Sequence, residues 1–216
     1  TVGSRFKDHV VAAIKERSNP EILQLCQHTG WSQFNDELLY LTHTGGIGTK
    51  GLNLDASCEL QGPLGDFSLP TPVDPRTLDL EGILEAFRDL QKDGTALVLL
   101  GAAMRAVLCH FHPATCSVYL QGTTGTFKSA AAGVLQGFWG SKFDGANLPA
   151  NWSSTGNALE KTAFLAKDCL LVVDDFVARG TRQEVAYTHR NAERLLRAQG
   201  NQSGRSRMTA KAEIRN

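Results

Sequence analysis

The chain has 216 residues, 42% hydrophobic and 20% charged, with 22 Lys+Arg balancing 22 Asp+Glu for a formal charge of zero. That length gives one to two domains and enough apolar residues for a core without covalent staples, and neutrality excludes a global electrostatic footprint for nucleic acid or anionic membrane. The longest uncharged apolar run, Ala96 to Met104, is about half of what a membrane span needs. The start carries no signal-peptide pattern. The five cysteines (Cys26, Cys58, Cys109, Cys116, Cys169) are scattered without a C-x-x-C pair, which predicts a reducing, cytoplasmic setting. The chain starts at Thr1 and stops after Glu213-Ile214-Arg215-Asn216. It is therefore read as a fragment of a longer protein.

Along the chain, residues 4–28 have helical spacing in Phe6, Val10, Val11, Ile14 and then Ile22, Leu23, Leu25, broken at Asn19-Pro20. Between 30 and 70, Glu37–Thr42, a glycine cluster and Gly51–Leu54 predict short strands and tight turns. Leu69-Pro70-Thr71-Pro72 with Pro75 is the expected linker, dividing an N-terminal α+β module (1–75) from a second unit (76–216). Asp79 to Phe111 is helical, interrupted at Gly94 and ended by Pro113. Ser117-Val118-Tyr119-Leu120 is a predicted strand, followed by a glycine loop and a helix from Lys128 to about Phe138. Asn157 is the expected N-cap of the next helix, with Glu160 at the capping-box position, and Thr155 is likewise expected mainly as a capping residue. Cys169-Leu170-Leu171-Val172-Val173 has the continuous apolar character of a strand buried on both faces of a parallel sheet. An arginine-bearing helix is expected over 182–198.

The loop Gly122-Thr123-Thr124-Gly125-Thr126-Phe127-Lys128-Ser129 carries most of the chemistry. It matches the phosphate-loop pattern G-x-x-x-x-G-K-[ST] except at Phe127, which replaces the second glycine. Loop amides and the following helix start would face phosphate oxygens. Lys128 would bridge the β- and γ-phosphates, and Ser129 would hold Mg²⁺. Phe127 is expected to take an ordinary φ and point its ring away. The alternative is a Thr/Gly-rich turn with no ligand. Asp174-Asp175 ends the apolar strand, where α/β sheets bind ligands. Asp174 would hold Mg²⁺ through water and Asp175 would orient the attacking water; the alternative is a pair of solvated loop carboxylates.

Several stretches together resemble the family catalogued as domain of unknown function 927, helicase-like P-loop ATPases of phages, plasmids and integrative elements. They are His28-Thr29-Gly30-Trp31, Leu39-Tyr40-Leu41-Thr42 with Gly45-Gly46-Ile47-Gly48, the phosphate loop, Gln136-Gly137-Phe138-Trp139-Gly140, Trp152 to Glu160, Val172-Val173-Asp174-Asp175-Phe176, and Arg197 to Asn201 with Gly204-Arg205-Ser206-Arg207. The resemblance covers most of residues 28–216. It implies a P-loop NTPase core, a parallel sheet flanked by helices, preceded by a small β-containing module. It also implies an ATP- and Mg²⁺-dependent motor on DNA, single-stranded and held by local basic loops. The motor would work as a homo-oligomeric ring, beside a primase module in the same chain or system, in replication of a mobile element and away from membranes. Arg205 and Arg207 then become candidates for a cation on the γ-phosphate, against a solvated basic loop, and Asn201 for a polar sensor. Arg194 and Arg197 are expected as exposed helix charges. Two other readings stay open: a small-molecule or nucleotide kinase using the same loop, and a non-catalytic nucleotide-binding assembly module.

Three signals are set aside. Gly46-Ile47-Gly48-Thr49-Lys50-Gly51 matches G-x-G-x-x-G, but Leu-Asn-Leu-Asp follows, so a hairpin is expected rather than a dinucleotide site. Cys109-His110-x-His112-x-x-x-Cys116 crosses Pro113 and is not expected to converge on zinc. Trp31, Trp139 and Trp152 are expected in the core.

Overall fold

The computed structural model describes residues 6–18, 24–60, 62–68, 79–90, 94–177, 180–201, 207–208 and 214–215. It begins with helix α1 (Phe6–Arg17), which has no buried residue. The helical pattern expected through residue 28 does not continue, because Gln24–Cys26 is strand β1. Asn19-Pro20 lies between them, and proline admits neither the helical N–H bond nor the α region for the residue before it.

Strands β2 (Gly30–Phe34), β3 (Glu37–Leu41), β4 (Gly46–Gly48) and β5 (Gly51–Asn53) form an antiparallel meander in that order. The glycine cluster makes the β4–β5 hairpin, with Gly48 opposite Gly51. Strand β6 (Ala56–Cys58) returns to pair in parallel with β1, placing Cys26 opposite Cys58. Leu39, Leu41 and Ala56 are buried under this meander.

Helices α2 (Leu80–Leu90) and α3 (Thr95–Val107) follow, divided near Gly94 as expected. The second ends at Val107, six residues short of Pro113 (113 minus 107). Helix α4 (Lys128–Gln136) runs into a 3-10 turn at Gly137–Trp139. Then come β7 (Ala150–Asn151), α5 (Gly156–Leu165), β8 (Val173–Asp174) and α6 (Arg182–Asn201). Two short strands, β9 (Arg207–Met208) and β10 (Ile214–Arg215), pair antiparallel.

The main core joins both halves of the chain. Cys58, Leu60, Leu64 and Phe67 pack with Leu100, Ala103, Leu135, Trp139 and Phe143. The expected linker at 69–75 lies outside the described residues, and the segments on either side of it share this one core. Trp139 is buried as expected, whereas Trp31 and Trp152 are half-buried.

His28-Thr29-Gly30-Trp31 docks the meander onto the turn at 165–169. The Thr29 hydroxyl donates to the Lys167 carbonyl (2.9 Å) and accepts from the Cys169 thiol (3.1 Å). The Trp31 amide donates to Asp168 Oδ2 (3.0 Å), and the Tyr40 hydroxyl donates to the Asp168 carbonyl (2.8 Å) while accepting from Trp139 Nε1 (2.9 Å). Gly30 holds φ of 84°, and a Cβ there would sit 2.4 Å from the Lys167 carbonyl oxygen. Only glycine fits both conditions. Burial raises the Tyr40 hydroxyl well above its ordinary value and pushes the Cys58 and Cys169 thiols up to about 12.

Two strand expectations are corrected. Ser117–Leu120 forms no strand and its side chains are largely exposed. The run Cys169–Val173 is half-buried, and only Val173–Asp174 is strand, in parallel register with Ala150–Asn151. An apolar run becomes a strand only where a neighbour supplies ladder partners, and among the described residues β7 alone does so.

Candidate functional site

The glycine loop closes on itself before α4 begins. The Thr126 hydroxyl and the Lys128 ammonium both donate to the Thr123 carbonyl, at 2.8 and 2.7 Å. Lys128 also lies 3.4 Å from the Thr126 hydroxyl. Gly125 turns the chain with φ of 85°. Gly122, Thr123, Thr124, Gly125, Thr126 and Phe127 are all exposed, so the backbone of the loop faces solvent.

Phe127 caps α4 with φ 56° and ψ 24°. The expectation of an ordinary φ is thereby corrected: Phe127 adopts the left-handed conformation a glycine would take there. Its ring points away, 81% exposed, as the sequence predicts. The Cβ strain of this conformation costs about 1–2 kcal/mol.

One residue into α4, the Ser129 hydroxyl donates to Asp174 Oδ2 at 2.8 Å. This bond joins the start of α4, just after the glycine loop, to the acid at the end of β8 across 45 positions of sequence. The spacing also suits a divalent cation. Adjacent oxygens of an octahedral Mg²⁺ shell at 2.0–2.1 Å stand about 2.9 Å apart. Two hard oxygen donors on neighbouring elements are what such an ion takes from a protein when water and phosphate complete its shell. Among the described residues no three His, Cys, Asp or Glu side chains gather closely enough to hold a metal ion alone.

The position of β8 depends on a residue that sequence reasoning missed. Gln136, at the end of α4, is fully buried. Its Nε2 donates to the Leu170 carbonyl (3.0 Å) and its Oε1 accepts from the Val172 amide (3.0 Å). One side-chain amide thus does for residues 170–172 what a neighbouring strand would do. No local signal marks this role, since the two backbone groups are 34 and 36 positions away.

Asp175 follows with φ of 60° and an exposed side chain. It is beside Asp174 but makes no side-chain hydrogen bond or ion pair among the described residues. Phe176 leaves the strand edge-on to Trp152 (5.5 Å) and Tyr119 (6.2 Å) and tilted against His189 (5.7 Å).

Asn201 is the exposed last residue of α6. The nearest tie from that end is Gln199 Nε2 to the Ala114 carbonyl (3.1 Å), on the segment leading to the loop. Arg207 lies in β9, opposite Arg215. Arg205 lies outside the described residues. Arg197 is an exposed helix charge, as expected, paired with Glu193, whereas Arg194 is half-buried against Glu160. The cap of α5 is Thr155, whose hydroxyl accepts from the Ala158 amide (3.3 Å). This displaces Asn157 from the expected capping position by two residues (157 minus 155). Helix α6 opens on a capping box, Thr181-x-x-Glu184, which sequence reasoning missed. Glu184 Oε2 accepts from the Thr181 amide (2.7 Å) and hydroxyl (2.9 Å). Those bonds hold the Glu184 carboxyl below its ordinary range.

No helix among the described residues is long and apolar enough to cross a membrane. No curated protein and no solved structure matches the chain. A family model does match, that of a domain of unknown function, DUF927, over residues 80–216. The match takes in the phosphate loop, Gln136 and the Asp174-Asp175 pair, and begins after the motifs at 28–48. With more than half its length matched, the chain belongs to the DUF927 family.

Proposed function

We propose that this chain is a P-loop α/β ATPase whose Mg²⁺-dependent hydrolysis of ATP is coupled to movement on DNA. The observation that carries the reading is the 2.8 Å bond from Ser129 to Asp174. It brings the hydroxyl of the loop motif and the acid of the second motif into the relation that a nucleotide-bound Mg²⁺ requires.

Each residue then has a task. Lys128, held on the Thr123 carbonyl, exchanges that neutral acceptor for anionic β- and γ-phosphate oxygens, a contact between opposite charges that is stronger than the ammonium–carbonyl bond it leaves. The exposed amides of residues 123–127 line the phosphates. Ser129 and Asp174 would hold Mg²⁺, which supplies charge neutralisation on the transferring phosphoryl group. Asp175, exposed and without a side-chain partner among the described residues, accepts a hydrogen bond from the attacking water and orients it. Arg205 or Arg207 would contribute the transition-state cation from a neighbouring copy in a ring.

The test is ATP turnover with and without single-stranded DNA, for the chain and its Lys128→Ala variant. The expected result is DNA-stimulated turnover that the variant reduces at least about 100-fold. Turnover indifferent to DNA would favour a kinase using the same loop. Tight ATP binding without turnover would make this an assembly module.

A further inference from the structure

We propose that the open groove along α6, lined by Arg182, His189 and Arg190, holds a single strand of nucleic acid through its phosphates. This rests on the DNA-coupled reading above and names the surface on which the strand would lie.

The groove has a volume of about 470 Å³ and is lined by Gly180, Arg182, Val185, Ala186, His189 and Arg190. Arg182, Val185, Ala186, His189 and Arg190 fall at helical spacing on one face of α6, with Gly180 just before it. Among the described residues no carboxylate lines the groove. Helix α6 has four arginines, and their pairing divides them. Arg194 is paired with Glu160 and Arg197 with Glu193, whereas Arg182 and Arg190 have no hydrogen-bond or ion-pair partner among the described residues. Glu184, which borders Gly180, is turned back onto the Thr181 amide and hydroxyl, and Glu193 is paired with Arg197. Arginine is weakly hydrated and its planar fork suits phosphate.

The two arginines stand eight positions apart, about 12 Å along the helix at 1.5 Å per residue. That span offers contacts to successive phosphates of one strand. Between them, the His189 ring lines the groove and lies against Phe176, which meets Tyr119, 67% exposed, on its other side. Cations interleaved with exposed rings suit a strand whose bases are unpaired and free to stack. The same rings border β8, so a strand lying there would be coupled to the Asp174 end of the phosphate site.

The experiment is fluorescence anisotropy of a labelled oligothymidylate with the chain, titrated across salt concentrations. It compares the unaltered chain, Arg182→Ala/Arg190→Ala, and a control Lys7→Ala/Arg17→Ala on α1. Melting curves of all three check folding, for which the exposure of the altered residues is favourable. The expected result is a loss of about tenfold in affinity for the groove variant, with the salt slope shallower by about 1.4, the share of two phosphate contacts on a single strand. The control is expected to keep both. An unchanged slope in the groove variant, or an equal loss in the control, would overturn the groove while leaving the ATPase reading intact. No binding of the oligonucleotide by the unaltered chain would overturn the DNA-coupled reading itself.

Discussion

The meander at residues 30–53 and the phosphate-loop segment at 113–129 handle their backbones in opposite ways. In the meander each strand has a ladder partner, and Thr29, Trp31 and Tyr40 fasten the edge to the turn at 165–169. In the second segment residues 113–123 form no strand, and the loop folds its lysine and a threonine hydroxyl onto one of its own carbonyls. A closed ladder gives stability and leaves nothing to offer a ligand. An open loop holds its amides available, at a cost that nearby elements must offset. Here the offset is made by side chains, Gln136 toward residues 170–172 and Ser129 toward Asp174.

That contrast predicts that the largest stability effect of a single polar substitution lies behind the loop. Gln136→Ala removes two hydrogen bonds and leaves a partly buried carbonyl and a partly buried amide unsatisfied. About 3 kcal/mol of destabilisation is expected, or roughly 6–12 °C in Tm for a chain of this size. Thermal denaturation followed by circular dichroism measures it. A loss under about 1 kcal/mol would mean that residues 170–172 are held by something other than this amide, and the comparison would break.

Strand β6 meets the turn at 165–169 through the thiols of Cys58 and Cys169, which extends the comparison along the pH axis. Cys58 and Cys169 are both raised to about 12 from an ordinary value of 9.0, chiefly by burial. The folded state therefore favours the protonated thiols. Their contribution to stability is complete below about pH 9 and is lost as pH rises toward 12. Urea unfolding at stepped alkaline pH is expected to show a fall that Cys169→Ala lessens. Over the same range, exposed Cys116 should react with iodoacetamide in the native state while Cys58 stays protected. A Cys58 alkylated as fast as Cys116 would show that the junction opens readily.

What was legible in the sequence divides along the same line. The helices from 80 to 107, the helix after Lys128, and the β4–β5 hairpin are set by periodicity, glycine and turn chemistry within a few residues, and the sequence displays them. The sequence named Ser129 and Asp174 only as expected holders of one metal ion, and the hydrogen bond between them belongs to the fold. Strand identity at 117–120 and 169–173 was not readable, because an apolar run does not name its neighbour. Gln136 was invisible for a related reason: a glutamine ending an amphipathic helix ordinarily faces water, and only the fold turns it inward. The cap at Thr155 shows a smaller failure. Thr155 and Asn157 are both good caps, and local chemistry did not choose between them.

Phe127 gives the smallest expected effect and tests the cost of the open loop directly. It holds the left-handed conformation with its ring 81% exposed, so removing the ring forfeits little packing. Phe127→Gly relieves about 1–2 kcal/mol of Cβ strain and gives back about 0.5–1 kcal/mol through the greater freedom of glycine in the unfolded chain. The net expectation is a gain of about 0.5–1 kcal/mol, or 1–4 °C in Tm. The same substitution restores the glycine that phosphate loops carry before their lysine, so ATP affinity should hold or rise in equilibrium binding. A Tm that falls would show that the Phe127 ring makes contacts in solution, and that this side of the loop is less open than the backbone suggests. A Tm that rises together with weaker ATP binding would mean that the ring itself meets the nucleotide, which would make the replacement of glycine by Phe127 a feature of recognition and not a tolerated strain.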